Sequence, residues 1–213
     1  MKLFPTLVVD DFLEDPDYVL CLATNAEYSD PGHTNYPGVA SKNKIHELDQ
    51  ELFDAILQKI FGYYWDLNNP VKFRVDMEFQ KIEKNGQGII HLDTTYGALA
   101  AGVIYLNQDI DRDTGTSFYK LTDPDYKIKQ HEFLDPIARY HAGEHVDGLD
   151  NICEKHYNMF EETMRVQNQY NRLVTYDSNV WHTATSYGDQ TRYTLRFFIN
   201  ELESNHQDFP LRR

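Results

Sequence analysis

Val71-Lys72-Phe73-Arg74-Val75-Asp76-Met77-Glu78-Phe79-Gln80 alternates apolar and polar side chains without a break. Successive side chains of a strand point to opposite faces, so this period of two reads as a long half-buried strand. Upstream the period changes. Leu48, Leu52, Phe53, Ile56, Leu57, Ile60, Phe61 and Tyr64 recur at helical spacing and predict an amphipathic helix over about 47–65, lying on the outside of a sheet. Before it, Leu7 to Phe12 reads as an opening strand. Asp15-Pro16 then starts a helix to about Ala26, with Asp at the N-cap and Pro in the first turn. Residues 28–45, rich in Gly, Pro, Asn and Ser, read as a long loop. Downstream, Asn85-Gly86-Gln87-Gly88 turns the chain into a strand carrying His91, and further strands are predicted at about 98–107, 116–120, 172–177 and 190–200. The class is mainly β with flanking helices: a jelly roll buttressed by N-terminal helices. One domain over 1–213 is expected, with an insertion at about 121–170. Cys153, Tyr157, Phe160 and Met164 make part of that insertion a helix at roughly 149–166.

Length and composition narrow the function. A chain of 213 residues with 41% hydrophobic content can bury a real core. No apolar run is long enough to span a bilayer, and Met1 to Pro5 lacks the apolar centre of a leader, so no membrane partner is expected. Cys21 and Cys153 form no spaced framework and read as buried free thiols, which suits a cytoplasmic setting. The formal charge of −14 comes without clustered Lys or Arg, which argues against a nucleic-acid partner.

The chemistry lies in Gly88-Ile89-Ile90-His91-Leu92-Asp93-Thr94-Thr95 and, far downstream, Val180-Trp181-His182-Thr183-Ala184. His91 and Asp93 are two apart, so in a strand both leave one face and reach one ion. A third ligand must come from elsewhere in the fold, and His182 heads a second strand-turn unit. Two imidazoles and a carboxylate on one octahedral face are the donor set of non-haem Fe(II) oxygenases, leaving positions open for reactants. After the first half comes Ala100-Ala101-Gly102-Val103-Ile104-Tyr105-Leu106-Asn107, followed by Thr114-Gly115-Thr116-Ser117-Phe118. Ten residues beyond His182 comes Arg192-Tyr193-Thr194-Leu195-Arg196-Phe197-Phe198-Ile199.

With this ordered set the chain resembles the Fe(II)- and 2-oxoglutarate-dependent dioxygenases, particularly their prolyl-hydroxylase-like branch, over about 75–120 and 172–200. The resemblance implies a double-stranded β-helix in which His91, Asp93 and His182 hold Fe(II). It implies that Tyr105 and Arg192 grip the far carboxylate of 2-oxoglutarate. It also implies that O2 is consumed, succinate and CO2 are released, and a C–H bond of a small-molecule or peptidyl substrate is hydroxylated. A carboxylate at Asp93 favours hydroxylation over halogenation, since halogenating relatives replace it. Arg192 supplies a planar donor fork suited to a carboxylate, and Thr194, two residues on, shares its strand face. Arg196 shares that face too. It competes for the same role, reaches the substrate, or pairs with a surface carboxylate. The segment between Phe118 and Val174 is longer than in compact members, and the loops at about 28–45 and 121–150 are expected to border the pocket and select the substrate. The other function class is a jelly-roll or cupin-like binding module without turnover, against which Arg192 and Tyr105 stand.

The remaining histidines read as bystanders. His141 and His145 are four apart, but Gly143 and Asp147-Gly148 indicate a loop. His46, His131, His156 and His206 read as surface residues, and Trp181, facing away from the ligand beside it, as core.

Overall fold

The alternating stretch folds as one twelve-residue strand, β3 (Val71–Ile82). In the computed structural model, which describes residues 4–29, 37–65, 71–83, 88–123, 125, 127 and 130–204, it lies in a six-stranded antiparallel sheet. The other members are β1 (Leu7–Val9), β2 (Val39–Ala40), β4 (Ala100–Tyr105), β7 (Leu173–Asp177) and β9 (Arg192–Ser204), in the order β1-β7-β4-β9-β3-β2. A three-stranded sheet of β5 (Thr116–Leu121), β6 (Phe160–Val166) and β8 (Trp181–Ala184), in the order β6-β5-β8, makes the second layer. This is the expected double-stranded β-helix, mainly β with flanking helices.

The two faces of the large sheet have different covers. Met77, Phe79, Ile104, Leu195, Phe197 and Ile199 face α1 (Pro16–Asn25), α2 (Ile45–Leu48) and α3 (Gln50–Tyr64), and the main core sits between them. Six side chains of α3, from Phe53 to Tyr64, are buried there. At roughly 1.5–3 kcal/mol for each large side chain removed from water, that stripe holds the helices to the sheet. Asp15 caps α1 as expected, its carboxylate accepting from the Tyr18 amide at 2.9 Å.

The opposite face turns to the small sheet. A second cluster of Ala101, Tyr105, Phe118, Val166, Val174 and Tyr176 fills part of the gap. Glu78 and Gln80, on the polar row of β3, are also buried on this side. The register sets Glu78 opposite Arg196, Gln80 opposite Thr194 and Ile82 opposite Arg192. What reads locally as a solvent face is, at this end of the strand, the wall of an interior.

Three expectations need correction. Cys21 is exposed, and only Cys153 is a buried thiol. The helix at 149–166 ends early: α5 covers Leu149–Tyr157, and Phe160–Val166 is strand β6. Phe160 and Met164 fit either period, and pairing with β5 decides for the strand. His91 lies outside any extended strand, forming one isolated bridge with His182. Helix α4 (Gln130–His141) precedes α5 and packs against it. Among the described residues no helix is long and apolar enough to cross a membrane. The predicted turn residues 85–87 and loop residues 30–36 lie outside the described ones.

Candidate metal and carboxylate site

His91, Asp93 and His182 form the one group of three or more His, Cys, Asp or Glu side chains among the described residues whose ligand atoms all lie within 4.8 Å of one another. They arrive by different means. His182 is the second residue of β8, opposite Phe118 of β5. His91 is held to it by two backbone bonds, His91 amide to His182 carbonyl at 3.0 Å and the reverse at 3.1 Å. Asp93 begins a short 3-10 turn, Asp93–Tyr96, whose first amide donates to the Ser178 carbonyl at 3.0 Å. That turn, rather than the period of a strand, brings the carboxylate beside the rings.

Both imidazoles are set in the same way. Nδ1–H of His91 donates to the Ile89 carbonyl at 2.9 Å, and Nδ1–H of His182 to the Val180 carbonyl at 2.9 Å. Nε2 of each is thereby turned to Asp93, at 3.6 Å from Oδ1 for His91 and 3.3 Å from Oδ2 for His182. Ligands on adjacent corners of an octahedron, each about 2.1 Å from the ion, stand about 3 Å apart. The donor set therefore fits a metal with little adjustment.

The electrostatics agree. Burial first, and then His182, push the His91 ring down to about 4, so it is neutral. Burial alone would raise Asp93, yet His182 and His91 hold it below the usual carboxylate range. Burial would lower His182, but the Asp93 carboxylate prevails and raises it. Tyr176 packs its ring 4.4 Å from that of His182, and burial followed by Asp93 pushes its phenol well above the ordinary value.

The three donors open onto a cavity of about 440 Å³ that Arg192 and Arg196 also line. Arg192 is 5% exposed, and its Nε–H has no hydrogen-bond partner among the described residues. No ion pair joins it to a carboxylate among the described residues; its neighbour is Tyr105, whose ring centre lies 5.4 Å from the guanidinium carbon. A buried guanidinium that has a tyrosine but no carboxylate beside it among the described residues is costly, and the cost is relieved by an anion. Tyr105 and Thr194 stand behind the wall. The Tyr105 hydroxyl bonds Thr116 Oγ1 at 2.7 Å, and Thr194 donates to Gln80 at 3.4 Å. Thr116 and Gln80, which line the cavity, were not singled out from sequence, nor were Tyr176, Thr183 and Tyr187. Thr114-Gly115-Thr116 was the one hint, because a threonine opening a strand carries no signature of its own.

Arg196 differs from Arg192. Its Nε and Nη2 reach Glu78 Oε1 at 3.0 and 2.5 Å, and Lys44 binds the other oxygen of Glu78. The carboxylate it pairs with is buried, not a surface one. Pro37 also lines the cavity, so the described end of the 28–45 loop reaches it. Gly102 admits the close packing beneath: a Cβ there would stand 2.7 Å from the Val174 carbonyl oxygen and 2.4 Å from the Phe197 ring.

Among the other histidines, His46 and His145 are exposed and His141 ends α4. His156 is fully buried, against expectation, because α5 carries it into an aromatic cluster with Phe133 and Phe160. The side chain of His131, and all of His206, lie outside the described residues. Trp181 is not among the residues lining the cavity and packs on Phe160 at 5.1 Å, but it is half-buried rather than core.

A family model described as "Family of unknown function (DUF6445)" matches residues 3–190. The chain belongs to that family. No curated protein matches this DUF6445 chain in sequence. In fold it is similar to HygX from Streptomyces hygroscopicus, solved with nickel and 2-oxoglutarate bound, at 12% identity and a TM-score of 0.54, over 91% of this chain and 82% of that one. It is similar to a prolyl hydroxylase from Trichoplax adhaerens, solved with a hypoxia-inducible-factor peptide, at 12% identity and 0.53 over the same shares. SnoN, an α-ketoglutarate-dependent epimerase from nogalamycin biosynthesis, is similar at 12% and 0.53, over 91% of this chain and 76% of that one. These likenesses show that the DUF6445 chain has the double-stranded β-helix of 2-oxoglutarate oxygenases.

Proposed function

We propose that the chain is an Fe(II)- and 2-oxoglutarate-dependent dioxygenase, one domain over 1–213, that hydroxylates a C–H bond of an amino-acid, peptidyl or small-metabolite substrate. The observation that carries the reading is the pairing, in one cavity, of a three-donor cluster with the Arg192 guanidinium, which no carboxylate among the described residues engages. A cation fits the first and an anion the second, and 2-oxoglutarate can serve both through its two ends. His91, Asp93 and His182 would hold the iron. Arg192 would take the distal carboxylate, with Tyr105 behind it through Thr116 and Thr194 through Gln80. Bound there, iron and 2-oxoglutarate supply dioxygen activation coupled to release of succinate and CO2.

The chain's own part is placement and exclusion of water. The two Nδ1–H bonds fix both rings in the tautomer that leaves Nε2 to the ion. His182 and His91 hold Asp93 below the usual carboxylate range, and the carboxylate that favours positive charge on His182 would favour a cation in the same place. Tyr176, Val103 and Phe198 wall the cavity with apolar surface, which strengthens the attraction between Arg192 and a carboxylate. The 2-oxoglutarate of HygX and the peptide of the Trichoplax enzyme support these ligand classes here. SnoN, an epimerase, is a reminder that one fold carries several outcomes.

Anaerobic addition of Fe(II) and then 2-oxoglutarate should give a visible charge-transfer band, and air should then yield succinate. His182→Ala should abolish both while leaving the circular dichroism unchanged. A wild-type protein with neither band nor succinate would be a jelly-roll binding module.

A further inference from the structure

We infer that His156 is a positioning residue for the metal ligand His91; this rests on the metal-site reading above. His156 has no exposed surface, and its Nε2–H donates to the carbonyl of Ile90 at 2.8 Å. Ile90 directly precedes His91 and is itself fully buried, so water cannot serve that carbonyl. The neighbouring carbonyl, of Ile89, already accepts from His91 Nδ1. Beyond the single bridge to His182, His91 has no strand ladder to hold it. The backbone just before the ligand is therefore pinned from the other side, by α5.

The pin has a hydrophobic half as well. Ile89 packs against Ile137 of α4 and Cys153 of α5, so the helix pair grips both residues that lead into His91. The imidazole is an unfavourable choice for filling this space alone. Its Nδ1, left bare by the Nε2–H bond, is buried among Phe133, Phe160 and Tyr157 without a hydrogen-bond partner among the described residues. A phenylalanine would fill the volume without that orphan acceptor, so the N–H is the useful part of the ring. The Ile89 carbonyl, which accepts from His91 Nδ1, is the partner that meets the ligand directly, and such partners commonly change metal affinity by about ten- to a hundredfold. His156 acts one step further out, by holding the adjoining Ile90 carbonyl.

The test compares the variants His156→Phe, His156→Gln and His156→Asn with the wild-type chain, using Co(II) under anaerobic conditions. Dissociation constants come from chelator competition, and the visible d–d bands report the ligand geometry. His156→Phe should weaken Co(II) by about three- to tenfold, at or below the low end of what direct ligand partners contribute, and shift the bands. His156→Gln, whose amide N–H extends about as far as Nε2, should restore most of the affinity, and the shorter Asn should not. Ile137→Val loosens the same buttress without touching the hydrogen bond. It should lower the melting temperature while leaving Co(II) affinity within about twofold of wild type. Wild-type affinity in His156→Phe would overturn the assignment, as would equal affinity losses in His156→Phe and Ile137→Val at matched melting temperature. Should His156→Phe not fold, equal affinity in the Gln and Asn variants would overturn it. A wild-type chain that binds no Co(II) overturns the metal-site reading itself, and this inference with it.

Discussion

Replacing Arg192 by Met should move stability and ligand binding in opposite directions. In the absence of ligand its guanidinium is buried, faces a cavity, and has no carboxylate partner among the described residues. A buried charge without a partner costs several kcal/mol even after relaxation, and the neighbouring Tyr105 ring returns only about 0.5–2 kcal/mol of that. Met keeps the bulk and removes the charge, so the ligand-free variant should be more stable by about 1–2 kcal/mol. For a domain of this length that is a rise in melting temperature of roughly 2–8 °C. The same change removes the charge-assisted contact to 2-oxoglutarate. At about 3 kcal/mol for such a contact in a dry site, affinity should fall roughly a hundredfold. The assay is thermal unfolding of Mn(II)-loaded protein, without air, across a 2-oxoglutarate titration. Wild type should gain stability with ligand, whereas Arg192→Met should start higher and gain almost nothing. A loss of about 3–5 kcal/mol in the ligand-free variant would refute the reasoning, because that is the signature of breaking a buried ion pair.

Arg196→Gln should leave 2-oxoglutarate affinity within about threefold of wild type, since Arg196 is engaged by Glu78, while changing which added compounds stimulate succinate release. A hundredfold loss of 2-oxoglutarate affinity in that variant would exchange the roles of the two arginines. Gly102→Ala should destabilise by about 2 kcal/mol, because the new methyl meets the Val174 carbonyl and the Phe197 ring; a melting temperature within a degree of wild type would contradict the packing. Burial lowers the His156 ring from its ordinary value, so the unfolded chain takes up this proton first and acid favours unfolding. The stability due to the neutral ring should be complete above pH about 6.5 and decline as pH falls through that value towards the lower folded one, by at most about 1.4 kcal/mol per pH unit. In urea unfolding from pH 7.5 to 5, His156→Gln should lose that part of the slope, and an unchanged slope would refute it.

What could be read along the chain was whatever a local period or motif encodes. The apolar row from Val71 to Phe79, the stripe from Phe53 to Tyr64 and the Asp15-Pro16 start each carry their own element. They do so because side-chain direction repeats every two or 3.6 residues whatever the rest of the chain does. The spacing of His91, Asp93, His182 and Arg192 likewise marked the candidate donors. Cross-strand register was not legible, because it is chosen by burial over the whole fold. Only the folded chain set Glu78 against Arg196 and Ile82 against Arg192, with no carboxylate for Arg192 among the described residues, although both arginines share one strand face. Only pairing with β5 turned Phe160–Val166 from helix to strand, since Phe160 and Met164 satisfy both periods. His156 shows the same limit. Nothing beside it in sequence marks it, and its partner, the Ile90 carbonyl, is a backbone atom that any residue would supply. A contact to backbone leaves no trace in side-chain identity, so tertiary structure alone could reveal it.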